Sequence, residues 1–157
     1  MSTLTAIKEQ IKTILAAIDE VGNVYDYLIF TTSVLDLKEL FSFTPQGEGD
    51  AHLRGWTITR TSTEEEWLGT EMNFRKHEFI IRGYMSFGKK GHTEQTWQDL
   101  VELVCDAFRP KFDLNNTDSI TFAMQAEEVG HTEFAGVICH YAELSLVAEV
   151  AETYTVA

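Results

Sequence analysis

The sequence predicts an α+β fold: a mostly antiparallel β-sheet packed against two main α-helices, in a single domain covering residues 1–157. Two patterns predict it. Apolar residues recur at helical spacing in two segments, 4–18 and 97–108, and strand-like segments follow each of them in pairs. A third observation concerns size. With 44% hydrophobic and 11% aromatic residues in 157 positions, the chain has material for one packed core. At this length it should bury roughly 70% of the surface its unfolded form exposes. Two prolines and ten glycines leave no collagen-like or proline-rich tract.

The first element is a helix. Leu4, Ile7, Ile11, Ile14, Leu15 and Ile18 draw one apolar stripe, with Ser2 as its cap and Gly22 as its stop. Val24 to Phe30 is short, apolar and aromatic, and reads as extended. Ser33-Val34-Leu35-Asp36 has the form of a capping box with Asp in place of Glu, which predicts a short helix from Val34 to Phe41. Residues 42–52, centred on Thr44-Pro45-Gln46-Gly47-Glu48-Gly49-Asp50, form an exposed loop of turn residues. Leu53 to Arg60 alternates as a strand, with Trp56, Ile58 and Arg60 on one face. Thr61 to Asn73 is polar and carries Glu64-Glu65-Glu66 beside Trp67, so residues 61–73 are expected as a second exposed loop. Phe74 to Phe87 is a long strand, making an antiparallel hairpin with its predecessor.

Lys89-Lys90-Gly91 is a turn. Trp97, Leu100, Val101, Val104, Cys105 and Phe108 then follow the helical pattern without a miss. Thr93 suits the N-cap, Glu94 the positive end of the dipole and Arg109 the negative end, and Pro110 stops the helix. Ser119 to Gln125 reads as a strand, and Glu127 to Glu133 as a loop turning near Gly130. Val137 to Val150 is a long strand with Ile138, His140, Ala142, Leu144, Leu146 and Ala148 on its buried face. Glu152 to Ala157 is expected as a short flexible tail.

Charge narrows the function classes. The chain has 12 Lys+Arg against 25 Asp+Glu, and 12 − 25 = −13. That argues against a nucleic-acid reader, which needs cations for phosphates, and against attachment to anionic lipid through basic residues. The charge is uneven. Residues 1–111 hold 17 acids and all 12 bases, a balance of −5, whereas residues 112–157 hold eight acids and no Lys or Arg, a balance of −8. No run nears 18 consecutive apolar residues, and the N-terminus lacks the apolar run of a signal peptide, so the expectation is a chain made and kept in a cytoplasm, away from membranes. Cys105 and Cys139 lie within apolar patterns and read as reduced, buried thiols.

Motifs for chemistry are scarce. The sequence has no GxSxG, P-loop, HExxH, dinucleotide-binding or EF-hand pattern. His52, His77, His92, His131 and His140 show no ligand spacing. A zinc site assembled from His77, His140 and a carboxylate is conceivable, but isolated histidines are the simpler reading. His140, on an apolar face, is explained by a bond to a backbone carbonyl or a tyrosine. Neither a catalytic residue nor a cofactor is expected. Glu64, Glu65 and Glu66 beside Trp67 read either as a solvated tip or as a contact loop with an aromatic anchor.

An amphipathic N-terminal helix leads into Gly55-Trp56-x-Ile58-x-Arg60. Arg75-Lys76-His77-Glu78-Phe79-Ile80-Ile81-Arg82-Gly83-Tyr84 follows, then the Thr96-Trp97-x-x-Leu100-Val101-x-x-Val104-Cys105-x-Ala107-Phe108 helix. The close is Gly136-Val137-x-Cys139-His140-Tyr141-Ala142-Glu143-Leu144-Ser145-Leu146. In this layout, over nearly its whole length, the chain resembles the small tail-terminator and head–tail neck proteins of long-tailed bacteriophages. The resemblance implies a structural virion protein at the head–tail junction, assembled in the bacterial host cytoplasm. It would be a homo-oligomeric ring, usually hexameric, that caps the tail tube, ends tail growth and meets the head connector, while DNA passes through without specific binding. It implies no catalytic residues. Another neck or tube-associated protein, or a small binding module or enzyme unrelated to phages, are the alternatives.

Charge adds a separate expectation. Between Arg54 and Lys90 there are seven bases and five acids, a balance of +2, against −8 after residue 111. Opposite signs on one chain suit a head-to-tail ring contact. The candidate interface comprises Glu64, Glu65, Glu66, Trp67, Arg75, Lys76, Lys89, Lys90, Glu127, Glu128 and Glu133. Pairing of the two segments within one monomer explains the same asymmetry equally well.

Overall fold

A computed structural model describes residues 3–29, 33–88, 93–114, 119–121 and 124–153. In chain order the elements are α1 (Thr3–Ala16), β1 (Asn23–Tyr25), α2 (Val34–Leu40), β2 (Ser42–Phe43), β3 (His52–Leu68) and β4 (Met72–Ser86), then α3 (Thr93–Phe108), β5 (Ser119–Thr121), β6 (Gln125–Phe134) and β7 (Val137–Thr153). The strands form one open sheet in the order β1-β3-β4-β7-β5. β2 extends the β3 edge and β6 pairs with β7. Every pairing is antiparallel except that of β1 with β3. The fold is therefore mixed α+β with a mostly antiparallel sheet, as expected. It carries two long helices and a third, α2, of seven residues.

Both long helices lie on one face of the sheet. The stripe Ile7, Ile11, Ile14 and Leu15 of α1 and the stripe Trp97, Leu100, Val101, Val104, Cys105 and Phe108 of α3 are buried against it. Beneath them, in cross-strand register, runs the row Trp56–Gly83–Ala142–Val129. One large ring followed by two small residues leaves a hollow, and Trp97 fills it, stacked on Trp56 with centroids 5.3 Å apart and planes at 21°. Such pairs contribute roughly 0.5–1.5 kcal/mol beyond their burial. Each indole N–H is satisfied, Trp56 Nε1 donating to the Val21 carbonyl and Trp97 Nε1 to the Tyr141 carbonyl. A Cβ on Gly83 would sit 2.4 Å from the Trp56 ring, so the sheet requires glycine there.

A smaller cluster covers one end of the opposite face. Phe41, Leu53, Ala135 and Cys139 form it, joined by Tyr25, Leu37, Tyr84 and Phe134. Ser33 caps α2 as expected, its Oγ accepting from the Asp36 N–H at 3.3 Å. Cys105 and Cys139 are free, buried and in different clusters on the two sides of the sheet. Burial pushes the Cys139 thiol up to about 11.

Several expectations need correction. Residues 61–73 are not a loop: β3 runs on to Leu68, β4 begins at Met72, and a three-residue turn with Gly69 at φ +79° joins them. Both faces there are polar, so no apolar alternation marks the strands. Glu127 to Glu133 is likewise strand, the body of β6, and the chain turns instead at Ala135-Gly136, both at positive φ. Residues 42–52 open with the strand β2 and close at the start of β3, leaving turns between. Among the described residues, the extended stretch expected over 24–30 is strand only to Tyr25, and of the strand expected over 119–125 residues 119–121 form β5 and Gln125 opens β6; Phe30, Phe122 and Ala123 lie outside the described residues. Ile138 is exposed rather than buried. The first helix ends at Ala16, and Gly22, at φ +97°, serves a close approach to the Arg54 carbonyl. Ser2, Lys89, Lys90, Gly91, His92 and residues 154–157 of the expected tail lie outside the described residues.

No helix among the described residues is long and apolar enough to cross a membrane.

Candidate assembly surface

The strand register separates the candidate residues into two groups. Glu64, Glu65, Glu66 and Trp67 occupy the far half of β3, opposite Lys76, Arg75, Phe74 and Asn73 of β4. Glu127, Glu128 and Glu133 stand on the outer edge of the sheet in β6. Lys89 and Lys90 fall outside the described residues.

In the first group opposite charges are already matched. Arg75 Nε faces Glu65 Oε1 at 3.0 Å, as an ion pair without hydrogen-bond alignment, and its Nη1 lies 3.7 Å from Glu152 of β7. Lys76 stands in register between Glu64 and Glu149, and Arg82 lies 3.9 Å from Glu143. Arg54, nearly buried, donates to the Glu20 carbonyl at 3.0 Å and lies 3.7 Å from the Glu20 carboxylate, which ties the end of α1 to the sheet. The acids of β7 thus meet the bases of β4 inside one chain. Partly exposed pairs of this kind contribute on the order of 1 kcal/mol or less each and set register more than stability. Of the two readings of the charge asymmetry, the structure favours pairing within the monomer.

The acids of β6 differ. Glu128 stands in register beside Glu143, Glu133 opposite Ile138, and Glu127 accepts the Ser145 hydroxyl at 2.7 Å. No Lys or Arg is placed on β6, so its outer edge is an acidic row. Charge on an edge strand also discourages sheet-to-sheet aggregation.

The sequence reading missed the apolar part of the far hairpin. Leu68 and Met72 flank Trp67 at the tip, all three exposed, with Trp67 at 56%. A second exposed apolar surface lies at the other end of β3, where α2 buries none of its residues and Val34, Leu35 and Leu40 face solvent. Beside it is a hollow of about 290 Å³ lined by Ala51, Leu53 and Val137 and by the polar Lys38, Ser42, His52 and Ser86. A helical period marks α2 in the sequence, but nothing there says that its apolar side stays uncovered.

The histidines lie apart. His77 is fully buried on β4 opposite Ala148, and His140 sits eight positions earlier on β7, roughly 26 Å away along the strand. Among the described residues no three His, Cys, Asp or Glu side chains converge on a metal position. His140 Nε2 is bonded to the Thr93 hydroxyl at 3.0 Å, neither to a carbonyl nor to a tyrosine, and it is flanked by the Phe87 and Trp97 rings. Thr93, expected as a cap, is thereby engaged with the sheet. His77 Nδ1 pairs with the Thr63 hydroxyl at 2.9 Å, whereas its Nε2 has no partner. Burial, then Arg75 and Arg60, hold His77 below its ordinary value; burial does the same to His140. Tyr141, half-buried and donating to Glu143 at 2.8 Å, is pushed up to about 12 by burial and that bond.

No family model matches the chain, and no curated protein matches it in sequence.

Proposed function

We propose that the protein is a structural component of a long-tailed bacteriophage: a tail terminator that assembles as a hexameric ring, caps the tail tube and joins the tail to the head connector. The observation that carries this reading is the pair of uncovered apolar surfaces at the two ends of one long sheet. Apolar patches of this kind mark contacts with other proteins, and two different patches on one chain suit a heterologous contact that closes into a ring. The chain layout agrees with the resemblance set out above.

Charge supports the same reading in a new way. The bases of β4 stand beside acids of β7 and β3, while the β6 edge carries Glu127, Glu128 and Glu133 and no Lys or Arg. Six copies at −13 carry about −78 in formal charge. A ring whose lumen is lined by carboxylates repels phosphate and lets duplex DNA slide through without sticking.

The test is electron microscopy of purified tail tubes mixed with the protein, with tube elongation followed in parallel. The reading expects a ring at one end of each tube and arrested growth. Tubes that elongate unhindered with bare ends overturn it. A ring that binds the connector but not the tube moves the protein to the neighbouring neck position.

A further inference from the structure

We propose that the ring contact is made by the tip of the β3–β4 hairpin of one copy seated in the hollow beside α2 of the next. The inference rests on the ring reading and goes beyond it by naming the two surfaces.

Both surfaces belong to one strand. β3 begins at the hollow with His52 and Leu53 and ends at the tip with Trp67 and Leu68, about 45 Å away at strand rise. They also share a face. Leu53 belongs to the cluster opposite the long helices, and the register places Leu68 and Met72 on the same side as Glu66 and Phe74. The tip is a three-residue turn between Leu68 and Met72, whose side chains lie on that face, while Trp67 beside them lies on the other. The hollow is lined by Ala51, Leu53 and Val137 together with Lys38, Ser42, His52 and Ser86, and at about 290 Å³ is large enough for two aliphatic side chains.

Coverage decides the occupant. A contact of tip with tip, or of α2 with α2, would leave one apolar surface in water on every copy. Tip into hollow covers both with a single kind of interface, which a second copy of this chain supplies and an unrelated partner of one surface does not. Leu35, at 76% exposure, lies one helical turn before Lys38 and would come under the incoming hairpin. Charge agrees: Glu66 on the outer face of the hairpin would approach Lys38 at the rim of the hollow, while His52 on that rim is already paired with Glu48.

The experiment uses the full chain with Leu68→Cys and Leu35→Cys, singly and together, treated with a short bis-maleimide. Light scattering on the untreated wild type, alone and with tail tubes, establishes whether copies associate. The double variant is expected to give a ladder of covalent oligomers in denaturing gels, and each single variant only monomer. Both native thiols are buried, which keeps the background low. Dimers from Leu68→Cys alone overturn the proposal in favour of tip-to-tip contact, and dimers from Leu35→Cys alone in favour of α2-to-α2 contact. A wild type that associates while the double variant gives no ladder overturns this contact and leaves the ring standing. A wild type that stays monomeric in both settings overturns the ring reading and the contact together.

Discussion

The near and far halves of the β3–β4 hairpin are built from the same ladder and do opposite things. In the near half, around Trp56–Gly83 and Ile58–Ile81, one face is fully apolar and lies under α1 and α3. In the far half, beyond a bulge between Arg60 and Ser62, glutamates, lysine and arginine take both faces, and the end carries an uncovered Trp67. The hydrogen-bonded backbone is continuous across the two, so the change lies in what the side chains meet. Near the helices the strands meet core and hold the fold. Beyond the helices, apart from the buried Asn73 and His77, they meet water and their own counter-charges, and present a tip.

Substitutions should separate the halves sharply. Trp56→Ala removes one ring of the stack and leaves Trp97 over a hole, and a loss of about 3–5 kcal/mol is expected in urea unfolding. A loss below about 1 kcal/mol would place the stability elsewhere. Gly83→Ala should cost about 1–3 kcal/mol by forcing the Trp56 ring against Trp97. Gly130→Ala on β6, where an added Cβ meets nothing within 4 Å, is its control and should be close to neutral.

At the boundary between the halves, His77 makes the far ladder sensitive to acid. Its folded value lies below the ordinary 6.5, so between the two values the unfolded chain binds the extra proton. Stability is therefore full above about pH 6.5 and falls as the pH drops from there through the folded value. Urea midpoints measured from about pH 7.5 to about pH 5 should decline less steeply in His77→Gln than in the wild type. Equal slopes would remove His77 from the account; His140, lowered in the same direction, is a second contributor. The smallest effect belongs to the far charges. Arg75→Gln and Lys76→Gln should each change stability by less than about 1 kcal/mol, with the difference shrinking in high salt. A larger, salt-independent loss would mean that these pairs hold the fold.

The same division explains what could be read from the sequence. The stripes of α1 and α3 and the alternation around Trp56 and along β7 were legible because burial on one face writes a period into the chain. The far half of β3 and all of β6 were not, because a strand with water on its faces or edge needs no apolar alternation. Gly130 imitated a turn, while the actual turn at Ala135-Gly136 lacks the Asn-Gly or Asp-Gly that usually announces one. Of the candidate surface, Trp67 and the glutamates beside it were visible as an oddity. The tie of Lys76 and Arg75 to Glu149 and Glu152 was not, since pairing across 70 or more positions is fixed by strand order alone.

The three tryptophans give the molecule a built-in optical readout. Trp56 and Trp97 are buried and stacked closely enough for their transitions to couple, whereas Trp67 stands in solvent at the hairpin tip. In the separate chain, an aqueous quencher such as acrylamide would reach one emitter of the three, and the exciton signature in circular dichroism would belong to the other two. A single sample can therefore report the integrity of the interior through one signal and the occupancy of the tip through the other.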